Sequence, residues 1–136
     1  MTPRIARRIG WCLVFVAGFL AGCRQAASDH LESQVAKADK PVLVKFYSPE
    51  CPYCIKLAPV FDALTKEYAG RVEFTTINTD VQYPAANRHN VSGIPTVLLF
   101  INGQEQQRWE GQLSPQPYRE ALNRALSALL LPRQAT

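Results

Sequence analysis

The chain is poor in the features that announce the commoner chemistries. It has two histidines and four cysteines, and no glycine-rich dinucleotide fingerprint. It also lacks internal repeats and low-complexity tracts. His30 and His89 are remote in sequence from the Cys51/Cys54 pair, so no mixed Cys/His metal site is expected. Ile55 stands where covalent haem attachment would require a histidine after the pair. No apolar run reaches the roughly 20 residues of a membrane span. Charge of one sign is scarce too. The 15 basic and 11 acidic side chains give +4, but Arg4, Arg7 and Arg8 lie in the first 22 residues, where there is no acid. Without that stretch the balance is 12 against 11, a net +1, which excludes a nucleic-acid surface. With 136 residues, 47% of them hydrophobic, one domain with a real core remains.

The N-terminal segment reads as an address. A basic stretch at Arg4, Arg7 and Arg8 precedes the uncharged, largely apolar 13-residue run Ile9 to Ala21, the proportions of a secretory signal. It ends in Leu20-Ala21-Gly22-Cys23, which resembles a bacterial lipobox. The resemblance implies cleavage before Cys23, acylation of that residue, and anchoring in a lipid bilayer. Residues 1–22 are then a signal peptide, 23–30 a lipidated cysteine and tether, and 31–136 the domain. The location implied is the bacterial cell envelope, periplasm-facing; Arg24 after the cysteine leans towards the outer membrane rather than the inner. Cys12 leaves with the leader and Cys23 carries lipid, so Cys51 and Cys54 must act alone.

Patterning along the rest predicts helix, strand, helix, strand, helix, strand, strand, helix. Asp29 and Glu32 could form a capping box opening a helix with Leu31, Val35 and Ala38 on one face. Val42 to Tyr47 is apolar except for Lys45, as in a strand covered on both sides. The cysteine pair opens a helix to about Tyr68, with Leu57, Phe61, Leu64 and Tyr68 inward and Pro59 inside it. Val72 to Asn78 and Thr96 to Ile101 read as strands, with a short helix around Tyr83 to His89 between them. Asn102-Gly103 is a two-residue hairpin signal leading to a polar edge strand, Gln104 to Glu110. Ser114 and Pro115 open a last helix whose inward stripe is Tyr118, Ala121, Leu122, Ala125, Leu126 and Leu129. The class is α/β, a sandwich with a central mixed sheet.

Cys51-Pro52-Tyr53-Cys54 falls where a buried strand turns into a helix. Unpaired N–H groups and the helix dipole stabilise a thiolate there. A spacing of three brings both sulfurs to one face, and Pro52 suits the first turn. Cys51 is expected to attack a substrate disulfide, and Cys54, further in, to resolve the mixed disulfide. Val91-Ser92-Gly93-Ile94-Pro95-Thr96 then leads straight into the strongest apolar strand.

With these motifs the stretch from Pro41 to about Leu130 resembles the thioredoxin family. The resemblance rests on the strand before the cysteines, Pro59, Asn78-Thr79-Asp80, Gly93-Ile94-Pro95-Thr96 and Asn102-Gly103. It implies that Pro95 is cis and lies against the sulfurs, while its neighbours, Ile94 among them, pair with substrate backbone. It implies a redox-active Cys51–Cys54 disulfide with no further cofactor and no metal. The implied partners are disulfide-bearing proteins and a membrane thiol electron donor, with the chain a monomer. Four departures mark the site. Pro52-Tyr53 is a glutaredoxin-like dipeptide, Glu50 and Tyr47 replace tryptophans, Lys45 takes the place of a buried aspartate, and Thr76 that of its lysine partner. The dipeptide points to the middle of the range from about −270 to about −120 mV. A cation at Lys45 should favour the Cys54 thiolate and make the couple more oxidising. The expected activity is thiol–disulfide exchange, in the direction of protein-disulfide reduction. Two alternatives stay open: a Cu(I)-binding protein using the same pair, and a thiol oxidase of exported proteins.

Overall fold

The computed structural model describes residues 22–111 and 114–130, with side chains from His30 onward. The expected leader up to residue 21 lies outside the described residues, and for Cys23 only the backbone is described. The elements are α1 (Gly22–Lys37), β1 (Val42–Tyr47), α2 (Pro52–Glu67), β2 (Glu73–Asn78), α3 (Tyr83–Arg88), β3 (Thr96–Ile101), β4 (Gln104–Glu110) and α4 (Gln116–Leu130). The four strands form one mixed sheet in the order β2-β1-β3-β4. β1 runs parallel to β2, with Lys45 opposite Thr76, and antiparallel to β3, with Lys45 opposite Val97.

Alternation along the strands builds two cores. Leu43, Val97, Leu99 and Trp109 face α2 and α4, where Leu57, Phe61, Leu64, Tyr118 and Leu122 pack on them. Val42, Val44, Phe46, Leu98 and Phe100 face the other way, onto Leu31 and Val35 of α1 and Ala85 and Ala86 of α3. His89 follows α3 between the rings of Phe46 and Phe100, at centroid distances of 5.8 and 5.3 Å. Its Nε2 lies 3.3 Å from Glu32 of α1, off the line of a hydrogen bond. The sheet is thus covered on both faces, as the apolar runs of β1 and β3 require.

Two expectations need correction. The first helix does not open at a capping box: it starts at Gly22, so residues 24–28, expected as a tether, are helical as well. The stretch Arg24-Gln25-Ala26-Ala27 has high helix propensity and nothing in it breaks a helix. At the other end of the chain, Leu129 is exposed, because the sheet contact of α4 ends with Ala125 and the partly buried Leu126. Among the described residues no helix is long and apolar enough to cross a membrane.

The β3–β4 hairpin turns on Asn102 and Gly103 with φ of 52° and 79°. Positive φ at both central positions is the primed turn that matches strand twist. A side chain at Gly103 would make only ordinary contact with the Cα of Ala36, at 3.5 Å, so its cost lies in the positive φ. Gly103→Ala should therefore destabilise the protein by about 1–2 kcal/mol. A chemical-denaturation midpoint with an unchanged slope is the check; an unaltered midpoint would show the turn relaxing at no cost.

Candidate active site

The site forms where β1 ends and α2 begins. β1 delivers Ser48 just beyond the strand, and the Cys51 N–H donates to the Ser48 carbonyl at 3.2 Å, closing a tight turn. Cys51 is the residue before the first helical position, in extended conformation, and no side chain caps this end. Pro52 occupies the first turn, where a missing N–H costs nothing. The N–H groups of this helix end are therefore left for the Cys51 sulfur to accept. Cys54 sits one turn in, on the same buried face as Leu57 and Phe61, and only 3% of its surface is exposed.

Burial and hydrogen bonding push the two thiols apart. The Cys54 thiol and backbone N–H, with the N–H of Tyr53, hydrogen-bond to the Cys51 sulfur and hold its pKa below the ordinary thiol value. Burial pushes Cys54 up to about 11, and donation to Cys51 and its negative charge add to the rise. The Ser48 N–H and the Lys45 charge pull against it. Both cysteines are free thiols. One is accessible and easily ionised, the other enclosed and protonated at neutral pH. That is the division of labour disulfide exchange requires.

Ile94-Pro95 is a cis peptide bond. The Cys51 thiol donates to the Ile94 carbonyl at 3.8 Å, so this loop lies against the attacking sulfur. Thr96 Oγ1 donates to the Gly93 carbonyl at 2.7 Å and the Gly111 N–H to the Pro95 carbonyl at 2.8 Å, which secures the loop on both sides. Tyr53 is 59% exposed and Glu50 and Pro52 are exposed as well, so they form the rim. Lys45 is buried, 6% exposed, with Nζ 4.7 Å from the Phe61 ring centroid and 5.2 Å from that of Tyr47. All the residues singled out around the cysteine pair thus come to one end of the sheet. Cys23 belongs to α1, and its side chain is not among those described.

One pair escaped the sequence reading. Ser48 Oγ donates to Asp80 Oδ2 at 2.7 Å and accepts the Glu50 N–H at 3.3 Å. Thr79 adds two bonds to the Tyr47 carbonyl, 2.9 Å from its N–H and 3.3 Å from its hydroxyl. The ends of β1 and β2 are thereby stitched together under the active-site turn. Parallel pairing of the two strands is the signal that could have found it: Tyr47 and Asn78 are register partners, so the residues after them meet.

The sequence profile of the family described as Thioredoxin matches residues 22–124. The chain belongs to the thioredoxin family. It is 34% identical over 95 residues to the chloroplastic thioredoxin M4 of Arabidopsis thaliana, covering 70% of this chain and 49% of that one. Against thioredoxin 1 of Nostoc sp. the figures are 31% over 86 residues, 63% of this chain and 80% of the other. The crystal structure of Fasciola hepatica thioredoxin superposes with a TM-score of 0.64 and 28% identity, over 74% of this chain and 93% of that one. The chain spans about half the length of the chloroplastic thioredoxins it matches. The thioredoxin fold accounts for the mixed sheet and flanking helices described above.

Asp80→Ala should cost about 1 kcal/mol of stability, by leaving the buried Ser48 hydroxyl without its acceptor. Asp80→Asn, which keeps an acceptor oxygen, should cost less. Chemical denaturation of both variants decides; equal losses would mean that charge, not the Ser48 bond, is what Asp80 supplies.

Proposed function

We propose that the protein is a thiol–disulfide oxidoreductase that reduces disulfide bonds in other proteins. The observation that carries this reading is the opposed condition of the two sulfurs, Cys51 accessible with a depressed pKa and Cys54 buried with a raised one. The Cys51 thiolate attacks one sulfur of the substrate disulfide, and the other leaves as a thiolate that takes up a proton. Cys54 then attacks Cys51, an intramolecular disulfide forms, and the second substrate sulfur departs and is protonated. Two electrons have passed from the pair to the substrate. The Ile94 carbonyl beside Cys51 offers an extended segment a backbone acceptor. The chain's own disulfide is the redox group in this reading, with no separate cofactor or metal.

The finer reading is a monomer tethered to the cell envelope by lipid on Cys23, facing the periplasm, with the outer membrane favoured. It rests on the basic residues Arg4, Arg7 and Arg8, the short apolar run and Leu20-Ala21-Gly22-Cys23. The oxidised pair would be recharged by a membrane protein carrying thiols. α1 running back to Gly22 bears on this: a helix beginning at the anchor leaves little slack between domain and bilayer.

Insulin reduction run beside a copper titration separates enzyme from metal carrier. Turnover lost in Cys51→Ala is expected; tight Cu(I) binding without turnover would favour the carrier. Cys54→Ala should accumulate a mixed disulfide through Cys51, and Cys51→Ala should accumulate little. Equal trapping by both would mean the roles are not divided. For the anchor, Cys23→Ser should release the protein from membranes or block its maturation, as read by fractionation. An unchanged membrane fraction and normal processing would contradict lipidation.

A further inference from the structure

A lysine enclosed by a hydrophobic core is costly, because the ammonium gives up its hydration. Such a residue is usually found paired with a carboxylate. Lys45 is not. Among the described residues no carboxylate comes within ion-pair distance of Nζ, and its near neighbours are the rings of Tyr47 and Phe61. Two ring faces compensate a cation only in part. Something else should repay the placement.

Geometry supplies the candidate. Cys54, Leu57 and Phe61 are spaced three and four apart on the buried face of α2, so they form a row that lies over β1. Nζ sits between Phe61, two turns down that row, and Tyr47, at the end of β1 where the active-site turn begins. Lys45 and the row that begins at Cys54 thus share the layer between β1 and α2, close enough for the ammonium and the Cys54 sulfur to act on each other. The charged groups that act on it are Asp62, exposed on α2, and Cys54 itself. From the neighbouring strands its register partners, Thr76 on β2 and Val97 on β3, bring no charge. The one group near Lys45 that gains negative charge during the reaction is the Cys54 sulfur.

We propose that the Lys45 ammonium, held between the rings of Tyr47 and Phe61, stabilises the thiolate that Cys54 becomes as it attacks the mixed disulfide. The inference rests on the thiol–disulfide exchange proposed above. In this step the Cys54–Cys51 bond forms and the Cys51–substrate bond breaks. The bonding pair leaves on the substrate sulfur, which takes up the proton lost by Cys54. The lysine exchanges no proton and makes no bond; it is a positioning residue acting through Cys54. A thiol that ionises near pH 11 stays protonated at pH 7. Until resolution begins, the cation faces a protonated Cys54 thiol. Its effect falls on the rate of the second step.

The test uses the reduced full-length protein and one equivalent of an aromatic disulfide whose released thiolate is coloured. Attack by Cys51 gives a first phase of colour and resolution by Cys54 a second. Lys45→Met, neutral and of similar length, should leave the first phase unchanged. It should slow the second and move its pH profile upward, by about threefold in rate for each unit of pKa, since a more basic thiolate is also a better nucleophile. Lys45→Gln should behave alike, and Lys45→Arg should stay close to wild type. Thermal unfolding of each variant identifies any that has lost its fold. Second phases equal in the wild type and the folded neutral variants would overturn the proposal. So would a slowing of both phases together, which is the mark of a disturbed structure. If the wild type gives neither phase, thiol exchange itself is refuted and the role of Lys45 falls with it.

Discussion

The apolar seam between α2 and the sheet, where Leu57, Phe61 and Leu64 meet Leu43 and Val97, determines where the first turn of that helix falls. The seam is enclosed on the far side by α4 through Tyr118 and Leu122. With the helix docked at this height, Cys51 lies at its open end, and Cys54 turns inward one residue row above Leu57. The Ser48–Asp80 bond and the Thr79 bonds then secure the turn that leads into the helix. Packing thus sets the chemistry. Cys51 immediately precedes the helix and Cys54 lies in its first turn, so their opposed environments are a property of the fold rather than of side-chain placement alone.

Opposed environments have different physical origins at the two positions. Cys51 is accessible, and hydrogen bonds from the helix turn lower its proton affinity. Cys54 loses water, which raises its own. A single charge beside both could not do this, since it would shift them in the same direction. The hydrogen bond between them sharpens the contrast, because it favours a thiolate on Cys51 while the proton stays on Cys54. Lys45 is buried as well, so less water screens its charge. Hydrogen bonds on the accessible sulfur and burial of the enclosed one let attack and resolution be tuned separately.

Much of this was legible in the residues. β1 and β3 follow from apolar runs, and β4 from the Asn102-Gly103 hairpin that returns the chain as a polar edge; the structure places all three where the pattern does. The cysteine pair and Pro95 are recognisable because each carries a local constraint, a helix start or an X-Pro step before a strand. What was not legible depends on contacts between distant segments. Ser48 and Asp80 are 32 residues apart and meet only because β1 and β2 pair in parallel. A lysine in an apolar strand is by pattern alone compatible with burial or with a side chain reaching solvent. The rings of Phe61 and Tyr47 decide it. The start of α1 was misread because Asp29 and Glu32 resemble a cap, while the helix-favouring residues before them carry the helix back to Gly22.

The central claim is that the start of α2 gives the two thiols different proton affinities. Titrating the thiolate absorbance of the fully reduced protein, with Cys51→Ala and Cys54→Ala for assignment, tests it most directly. Two separated steps are predicted, the first from Cys51 below the ordinary thiol range and the second from Cys54 near pH 11. Removing Cys54 should move the Cys51 step upward, since the donor on its sulfur is gone. A single merged step at the ordinary thiol pKa of about 8.5 would contradict the account.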